Sequence, residues 1–328
     1  MKPRVLVSRA VFPEAIERLS AHFEVDYHDV DAPLPPDQLA ARLADKIGAI
    51  TLLSDRIDAS ALAGATRLKA VCNVAVGYNN FDLPAISRAG VMATNTPGVL
   101  DETTADIAWA LLLASARRVV SADQWVRAGQ WQGWKFHDAW LGADVHHATL
   151  GILGMGRIGR AVARRAAGFA MRVIYHNRNR LAPDQEAGAS WVSMSDLLRE
   201  SDFLVLMLPY SQAVHHIIGA TQIGTMKPTA HLINVARGGV VDDAALIEAL
   251  QQHRIAGAGL DVFENEPALD QRFCALDNVV LTPHIGSSTR ATRLAMAMLA
   301  ADNLIAALSG QRPPNLLNPE VLAKETHQ

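Results

Sequence analysis

From Val5 to Thr282, short apolar runs alternate with stretches of helical periodicity, and no other feature limits the possible folds so much. Strands that alternate with helices build parallel sheets covered by helices. In the first third the strand candidates lie at 5–8, 25–27, 49–53, 68–74 and 91–94, with amphipathic stretches at 13–22 and 36–46. Five strands in this order predict a small flavodoxin-like domain. At Thr149 the alternation starts afresh, with candidates at 150–153, 173–176, 203–208, 231–235, 258–263 and 279–282. Six strands with crossovers make a complete doubly wound domain. Between the two sets a helical pattern runs from about 102 to 128, with Asp101 as its N-cap and Gly129 as its stop. The aromatic segment that follows, Trp131-Gln132-Gly133-Trp134 through Trp140-Leu141-Gly142, reads as a loop that packs against a second subunit. A last apolar helix, 289–308, stops at Gly310 with Pro313-Pro314 beyond. It has no strand partner in the second set and is free to return to the first domain. The expected class is α/β with two doubly wound parallel-sheet domains, residues 1–100 with 288–328 and residues 101–287.

Composition narrows the function classes. A chain of 328 residues, half of them hydrophobic, suits two domains of roughly 150 residues each. The net charge of −3 with no basic stripe argues against a nucleic-acid partner. Arg117-Arg118 and Arg164-Arg165 fall within helical patterns and read as solvated faces. Cys72 and Cys274 form no CxxC pair and have no histidine cluster beside them, so no metal site is expected. The opening apolar run Val5-Leu6-Val7 is too short for a signal peptide, and no stretch reaches the ~18 uncharged apolar residues of a membrane span. A cytoplasmic protein is therefore expected.

Gly154-Met155-Gly156-Arg157-Ile158-Gly159 is a GxGxxG sequence, preceded by the strand candidate at 149–153 and followed by a helical pattern. In that context Gly154 permits a tight turn, Gly156 lets backbone approach a pyrophosphate, and Gly159 lets helix pack on strand. The helix N-terminus offers unpaired N–H groups and about half a positive charge to phosphates. Asn177 stands 18 residues after Gly159, near the position where an NAD site places an acid on the ribose 2′-hydroxyl. The acid is missing, and Arg178 and Arg180 follow. A guanidinium there can pair with a 2′-phosphate, which predicts a preference for NADPH. Arginines pointing to solvent would instead leave NADH usable.

Ligands of doubly wound sheets sit beyond the carboxyl ends of the strands. Three successive strand candidates end there in Ala236-Arg237-Gly238-Gly239, Glu266-Pro267 and Pro283-His284-Ile285-Gly286. Reduction of a 2-oxo acid needs a hydride at the carbonyl carbon and a proton for its oxygen. His284 can supply the proton, since an unperturbed imidazole titrates near pH 6.5. Glu266 would orient the ring and favour the imidazolium. Arg237 offers a planar fork for the substrate carboxylate and polarises the carbonyl. His146-His147, His215-His216 and His253 have no placed partner, and His215-His216 fall in a helical region.

These residues resemble the D-isomer-specific 2-hydroxyacid dehydrogenase family over nearly the whole chain. The matching stretches are Gly154 to Gly159, Asn234-Val235-Ala236-Arg237-Gly238-Gly239-Val240-Val241-Asp242, Gly259-Leu260-Asp261-Val262-Phe263-Glu264-Asn265-Glu266-Pro267 and Leu281-Thr282-Pro283-His284-Ile285-Gly286. Asp144-Val145-His146-His147 and Val76-Gly77-Tyr78-Asn79-Asn80-Phe81-Asp82 carry a closer likeness to bacterial glyoxylate/hydroxypyruvate reductases, including those that act on 2-ketogluconate. The resemblance implies the roles of Arg237, Glu266 and His284 just given. It implies that Ala75, Val76 and Gly77 present backbone N–H groups to the substrate carboxylate. It places Asp261 by the nicotinamide carboxamide, Thr104 and Gly286 near the cofactor, and Leu208-Pro209 and Val235-Ala236 along it. It further implies a homodimer joined through the cofactor domains. The departure at Asn177-Arg178 distinguishes the chain from NAD-using members.

Two other readings remain open at this stage. One is a relative acting on another small acid, such as phosphoglycerate; formate is disfavoured because its oxidation has no carbonyl oxygen to protonate. The other is a nucleotide-sensing corepressor of the same fold, against which the complete trio and the absence of a basic patch speak. Side chains around Ser54, Trp134 and Trp140 would select the preferred acid.

Overall fold

The computed structural model describes residues 2–137 and 139–327. Its contacts divide into two compact units, Met1–Leu100 with Ser288–Gln328, and Asp101–Ser287.

The first unit holds five strands, β1 (Arg4–Val7), β2 (Glu24–Tyr27), β3 (Gly48–Thr51), β4 (Ala70–Asn73) and β5 (Met92–Thr94), all parallel in the order β2-β1-β3-β4-β5. That is the flavodoxin-like order. Side chains alternate between two cores. Val5, Val7, Ile50 and Cys72 face one, while Leu6, Ala49 and Val71 face the other. The Arg290–Leu308 helix supplies Ala300, Ala301, Leu304 and Ala307 to the first of these cores. A Cβ at Gly48 would lie 2.8 Å from a Leu304 methyl, so the helix rests directly on β3. Among the described residues this is the one helix long and apolar enough to cross a membrane, and nearly half of it is buried within the unit.

The second unit holds β6 (Thr149–Leu153), β7 (Arg172–His176), β8 (Ser190–Trp191), β9 (Phe203–Leu206), β10 (His231–Asn234), β11 (Gly257–Leu260) and β12 (Val279–Leu281), in the order β12-β11-β10-β9-β6-β7-β8. All pairs are parallel. Strand order reverses between β6 and β9, which defines the switch point. Here too the strands are buried on both faces: Leu204 and Leu206 enter one core, Phe203 and Val205 the other.

Two expectations need correction. The sheet has seven strands rather than six, because β8 is a two-residue exposed edge strand with no apolar run to announce it. The pattern at 102–128 is two helices, Asp101–Ala116 and Val119–Arg127, with Asp101 inside the first rather than capping it. The break falls where Arg118 takes a left-handed conformation, φ 52°. The Ala116 carbonyl accepts from Ala143 N–H at 2.9 Å, so the returning loop takes the bond that would have continued the helix.

Two buried titratable groups oppose each other in their effect on stability. His231, hydrogen-bonded to Ser115 Oγ at 2.8 Å, is pushed down from 6.5 to about 4 by burial. Asp243, in the first turn of the Asp243–Gln251 helix, is pushed up from 3.8 to about 6, chiefly by burial and by the neighbouring charges of Glu264 and Asp242. A carboxyl raised in the folded state contributes stability at low pH that is lost as pH rises through its folded value. Asp243→Asn removes that loss. Relative to the parent, the variant should gain about 2 kcal/mol between pH 4 and 6, from a pKa difference worth 1.36 kcal/mol per unit. Urea unfolding across that range tests this, and parallel curves for the two proteins would refute it.

Candidate functional site

The glycine turn follows the last residue of β6. Gly154 has φ +101°, and a Cβ there would lie 2.8 Å from the Met207 carbonyl group, so only glycine lets the ends of β6 and β9 meet. A Cβ at Gly159 would lie 2.6 Å from the Gly154 oxygen, which seats the Arg157–Ala166 helix on the turn. At Gly156 a Cβ would meet nothing within 4 Å, and Gly156 caps the helix without a side-chain bond. The helix N-terminus thus opens onto unfilled space with its first N–H groups uncapped, the arrangement that suits a phosphate. Met155 is fully buried, and Leu208 and Pro209 follow β9 at the same edge.

Asn177, just past β7, accepts from Met155 N–H at 2.7 Å through Oδ1 and so braces the glycine turn. The two arginines beyond it part company. Arg180 is held by both oxygens of Glu186, at 2.8 and 3.1 Å. Glu186 also accepts from Tyr175 Oη at 2.8 Å, and Arg180 followed by Tyr175 draws its carboxyl below the ordinary value. Arg178 is exposed and has no partner among the described residues.

The three strand-end loops of the second unit bring Arg237, Glu266 and His284 to one edge. After β10, Asn234 Oδ1 accepts from Ala236 N–H at 3.1 Å and shapes the turn carrying Val235, Ala236 and Arg237. Arg237 donates to the Ala236 carbonyl at 2.7 Å, and its buried Nε has no partner among the described residues. Burial lowers the guanidinium below its usual range against the opposing charge of Glu266. Glu266 uses one oxygen to accept from Phe263 N–H at 2.8 Å and offers the other to His284 Nδ1 at 2.7 Å. Burial pushes the Glu266 carboxyl up, but the hydrogen bond and charge of His284 outweigh it, and the carboxyl lies below its ordinary value. Nε2 of His284 is left to face away from Glu266.

Asp261 does more than the sequence suggested. Its Oδ1 accepts from Thr282 Oγ1 at 2.6 Å and Ile285 N–H at 2.8 Å, and its Oδ2 accepts from Gly286 N–H at 2.8 Å. The loop bearing His284, itself at φ 55°, is therefore tied at both shoulders to one buried carboxylate. Burial raises the Asp261 carboxyl against these donors. A Cβ at Gly286 would lie 3.3 Å from Asp261 and 3.5 Å from Thr104, so these three share one spot.

In the first unit, the carbonyls of Val76 and Gly77 are held by Asn95 Nδ2 at 2.8 Å and Asn73 Nδ2 at 2.9 Å. The Ala75 carbonyl accepts from Thr96 N–H. The N–H groups of Ala75, Val76 and Gly77 have no acceptor among the described residues. Ser54 accepts from Arg9 at 3.1 Å. Sequence reasoning gave no role to Asn234 and no partner to His216, which lies 2.5 Å from Glu264. His215 and His216 also lie outside any helix: the short turn Gln212–Val214 ends before them, and His216 has φ 51°. An adjacent histidine pair carries no periodicity by which this could be read.

Residues 109–286 match the family described as D-isomer specific 2-hydroxyacid dehydrogenase, NAD binding domain. The chain is 48% identical over 326 residues to the glyoxylate reductase of Thermococcus onnurineus, covering 98% of each. It superposes on the crystal structure of a Thermus thermophilus protein with a TM-score of 0.90 at 43% identity, covering 96% of this chain and 99% of that one. A Sinorhizobium meliloti NADPH-dependent glyoxylate/hydroxypyruvate reductase, solved with NADP and malonate, gives 0.87 at 33% identity over 97% of each. The chain belongs to the D-isomer specific 2-hydroxyacid dehydrogenase family. It is an NAD(P)-dependent oxidoreductase of small 2-oxo and 2-hydroxy acids.

Asp261→Asn turns an acceptor oxygen into a donor that must face backbone N–H groups. It should cost about 1–3 kcal/mol, the penalty for a buried polar group left unpaired. Urea denaturation measures this; a variant as stable as the parent would mean that Asp261 does not tie the His284 loop.

Proposed function

We propose that the chain is a cytoplasmic, NADPH-preferring reductase that converts small 2-oxo acids to D-2-hydroxy acids. Glyoxylate and hydroxypyruvate are the first candidates, and 2-ketogluconate is the larger one. The observation that carries this reading is the 2.7 Å hydrogen bond between His284 Nδ1 and Glu266, beside the partly unsatisfied Arg237. With Nδ1 committed to the carboxylate, Nε2 is the atom that gives a proton to the substrate oxygen. Arg237 receives the substrate carboxylate with its fork of donors and polarises the carbonyl. The same carboxylate role is assigned to the N–H groups of Ala75, Val76 and Gly77. The nicotinamide cofactor, when bound, supplies the hydride to C2. The glycine turn Gly154 to Gly159 receives its phosphates, with Thr104, Leu208, Pro209, Val235, Ala236, Asp261 and Gly286 along it. Preference for NADPH rests on Arg178, the unpaired guanidinium beside a neutral Asn177. Because Arg180 is already paired with Glu186, its share in phosphate recognition is smaller than the sequence indicated.

A homodimer belongs to the same reading. Trp131, Trp134, Phe136 and Leu141 all expose more than three-fifths of their surface, and Val119 and Val126 about half. An apolar patch of this kind supports pairing of subunits.

Two variants test the assignment. His284→Ala should lower kcat with glyoxylate by about 10²–10⁴-fold, the usual worth of a general acid, with NADPH affinity nearly unchanged. Parental turnover would remove His284 from the chemistry. Arg178→Ala should weaken NADPH by about 10–100-fold, the worth of a charge-assisted bond, and NADH hardly at all. Measured KM values for the two cofactors that move together would show that Arg178 does not meet the 2′-phosphate.

A further inference from the structure

Two of the strand-end loops, the one after β10 that carries Arg237 and the one after β11 that carries Glu266, touch at Gly238. A Cβ there would lie 1.7 Å from the Phe263 carbonyl oxygen and 2.9 Å from Glu264 N, so the two backbones are in direct contact. Contact at one point sets how close the loops come but leaves them free to pivot. His216 provides the second point. Its backbone N–H donates to the Gly239 carbonyl at 2.8 Å, on the Arg237 loop. Its imidazole Nε2 lies 2.5 Å from Glu264 Oε1, on the Glu266 loop. The left-handed backbone at φ 51° turns the N–H and the ring of one residue onto different loops.

The surroundings hold this bridge in place. Asp243 Oδ2 accepts from Glu264 N–H at 3.0 Å, so Glu264 is fixed at backbone and side chain alike. Ile218 N–H donates to the Val240 carbonyl at 3.2 Å, extending the tie to the Arg237 loop. His215 stacks on His216 with centroids 3.9 Å apart, and Tyr210 Oη lies 3.2 Å from His215 Nδ1, which limits rotation of both rings.

We propose that His216 is a positioning residue for the reduction. It clasps the Arg237 loop to the Glu266 loop and thereby fixes the guanidinium relative to the Glu266–His284 pair. The proposal rests on the roles given above to Arg237, Glu266 and His284. Small errors in the placement of such groups cost rate rather than cofactor binding.

The experiment uses the full chain. His216→Asn keeps the backbone N–H and tolerates left-handed φ, as Asn does, but is too short to reach Glu264. Glu264→Ala removes the acceptor, and Glu264→Gln restores an acceptor oxygen. The measurements are kcat and KM for glyoxylate, with NADPH affinity by fluorescence titration. His216→Asn and Glu264→Ala should each lose about tenfold in kcat/KM, mostly in kcat, with NADPH affinity within twofold of the parent. Glu264→Gln should recover most of the loss. The double variant should be no worse than the worse single one, as for two halves of one interaction. Parental kcat in folded His216→Asn overturns the clasp. So do losses that multiply in the double variant, or a matching loss of NADPH affinity. If Glu264→Ala does not fold, His216→Asn against Glu264→Gln decides alone. His284→Ala is assayed alongside. An active His284→Ala sinks the catalytic assignment itself, whereas an inactive one beside a fully active His216→Asn sinks only the clasp.

Discussion

The central strands of both sheets are buried on both faces, and that constraint governs where chemistry can occur. Residues of β1, β3, β4, β9 and β10 alternate between two apolar cores, and their faces are poor places for an unpaired polar group. An unpartnered buried dipole or charge costs several kcal/mol, about 2–7 for a neutral group. Polar side chains that must meet a ligand are therefore pushed to the strand ends, where parallel strands deliver their loops to one edge. Arg237, Glu266, His284 and Asp261 all stand there. Their grouping is a consequence of the sheet rather than a separate invention.

At that edge the loops are held by close backbone approach and by a few fully used side chains. Gly154 and Gly238 admit neighbouring backbone where any Cβ would collide. Asp261 spends both oxygens on the 282–286 loop, Asn234 turns the chain at Ala236, and Asn177 braces the glycine turn. Such groups act before any ligand arrives. They remove the loop freedom that binding would otherwise have to freeze. Arg237 differs from them. Its Nε is buried without a partner among the described residues, while the residue as a whole keeps part of its surface open.

How far the sequence discloses this depends on whether a feature is local. Eleven of the twelve strands show in the sequence, the central ones most plainly, because a strand buried on two faces is apolar by necessity. β8 does not, being two exposed residues at an edge. The helix break at Arg118 is equally silent, since it is imposed by the loop at Ala143 rather than by a proline or glycine. Among site residues, the glycine turn and the Arg, Glu and His at strand ends are visible through their Gly and Pro neighbours. The partners of Asp261, His216 and Arg180 are not. They depend on loops 6 to 48 residues apart in sequence, and only the fold brings those together.

Arg180 shows why the distinction matters for the cofactor. Read along the chain, Arg178 and Arg180 count equally as cations near the ribose. In the fold Glu186 takes up Arg180 through two hydrogen bonds, and the pair contributes little net charge to its surroundings. Asn177 is neutral and already engaged with Met155, so it adds no repulsion toward a phosphate dianion. What remains is the single charge of Arg178. Because it is exposed, its attraction is screened by salt over about 8–10 Å at physiological ionic strength. If Arg178 meets the 2′-phosphate as proposed, discrimination between the two cofactors should shrink as salt rises, whereas a site built on a buried carboxylate and the 2′-hydroxyl would hold its preference.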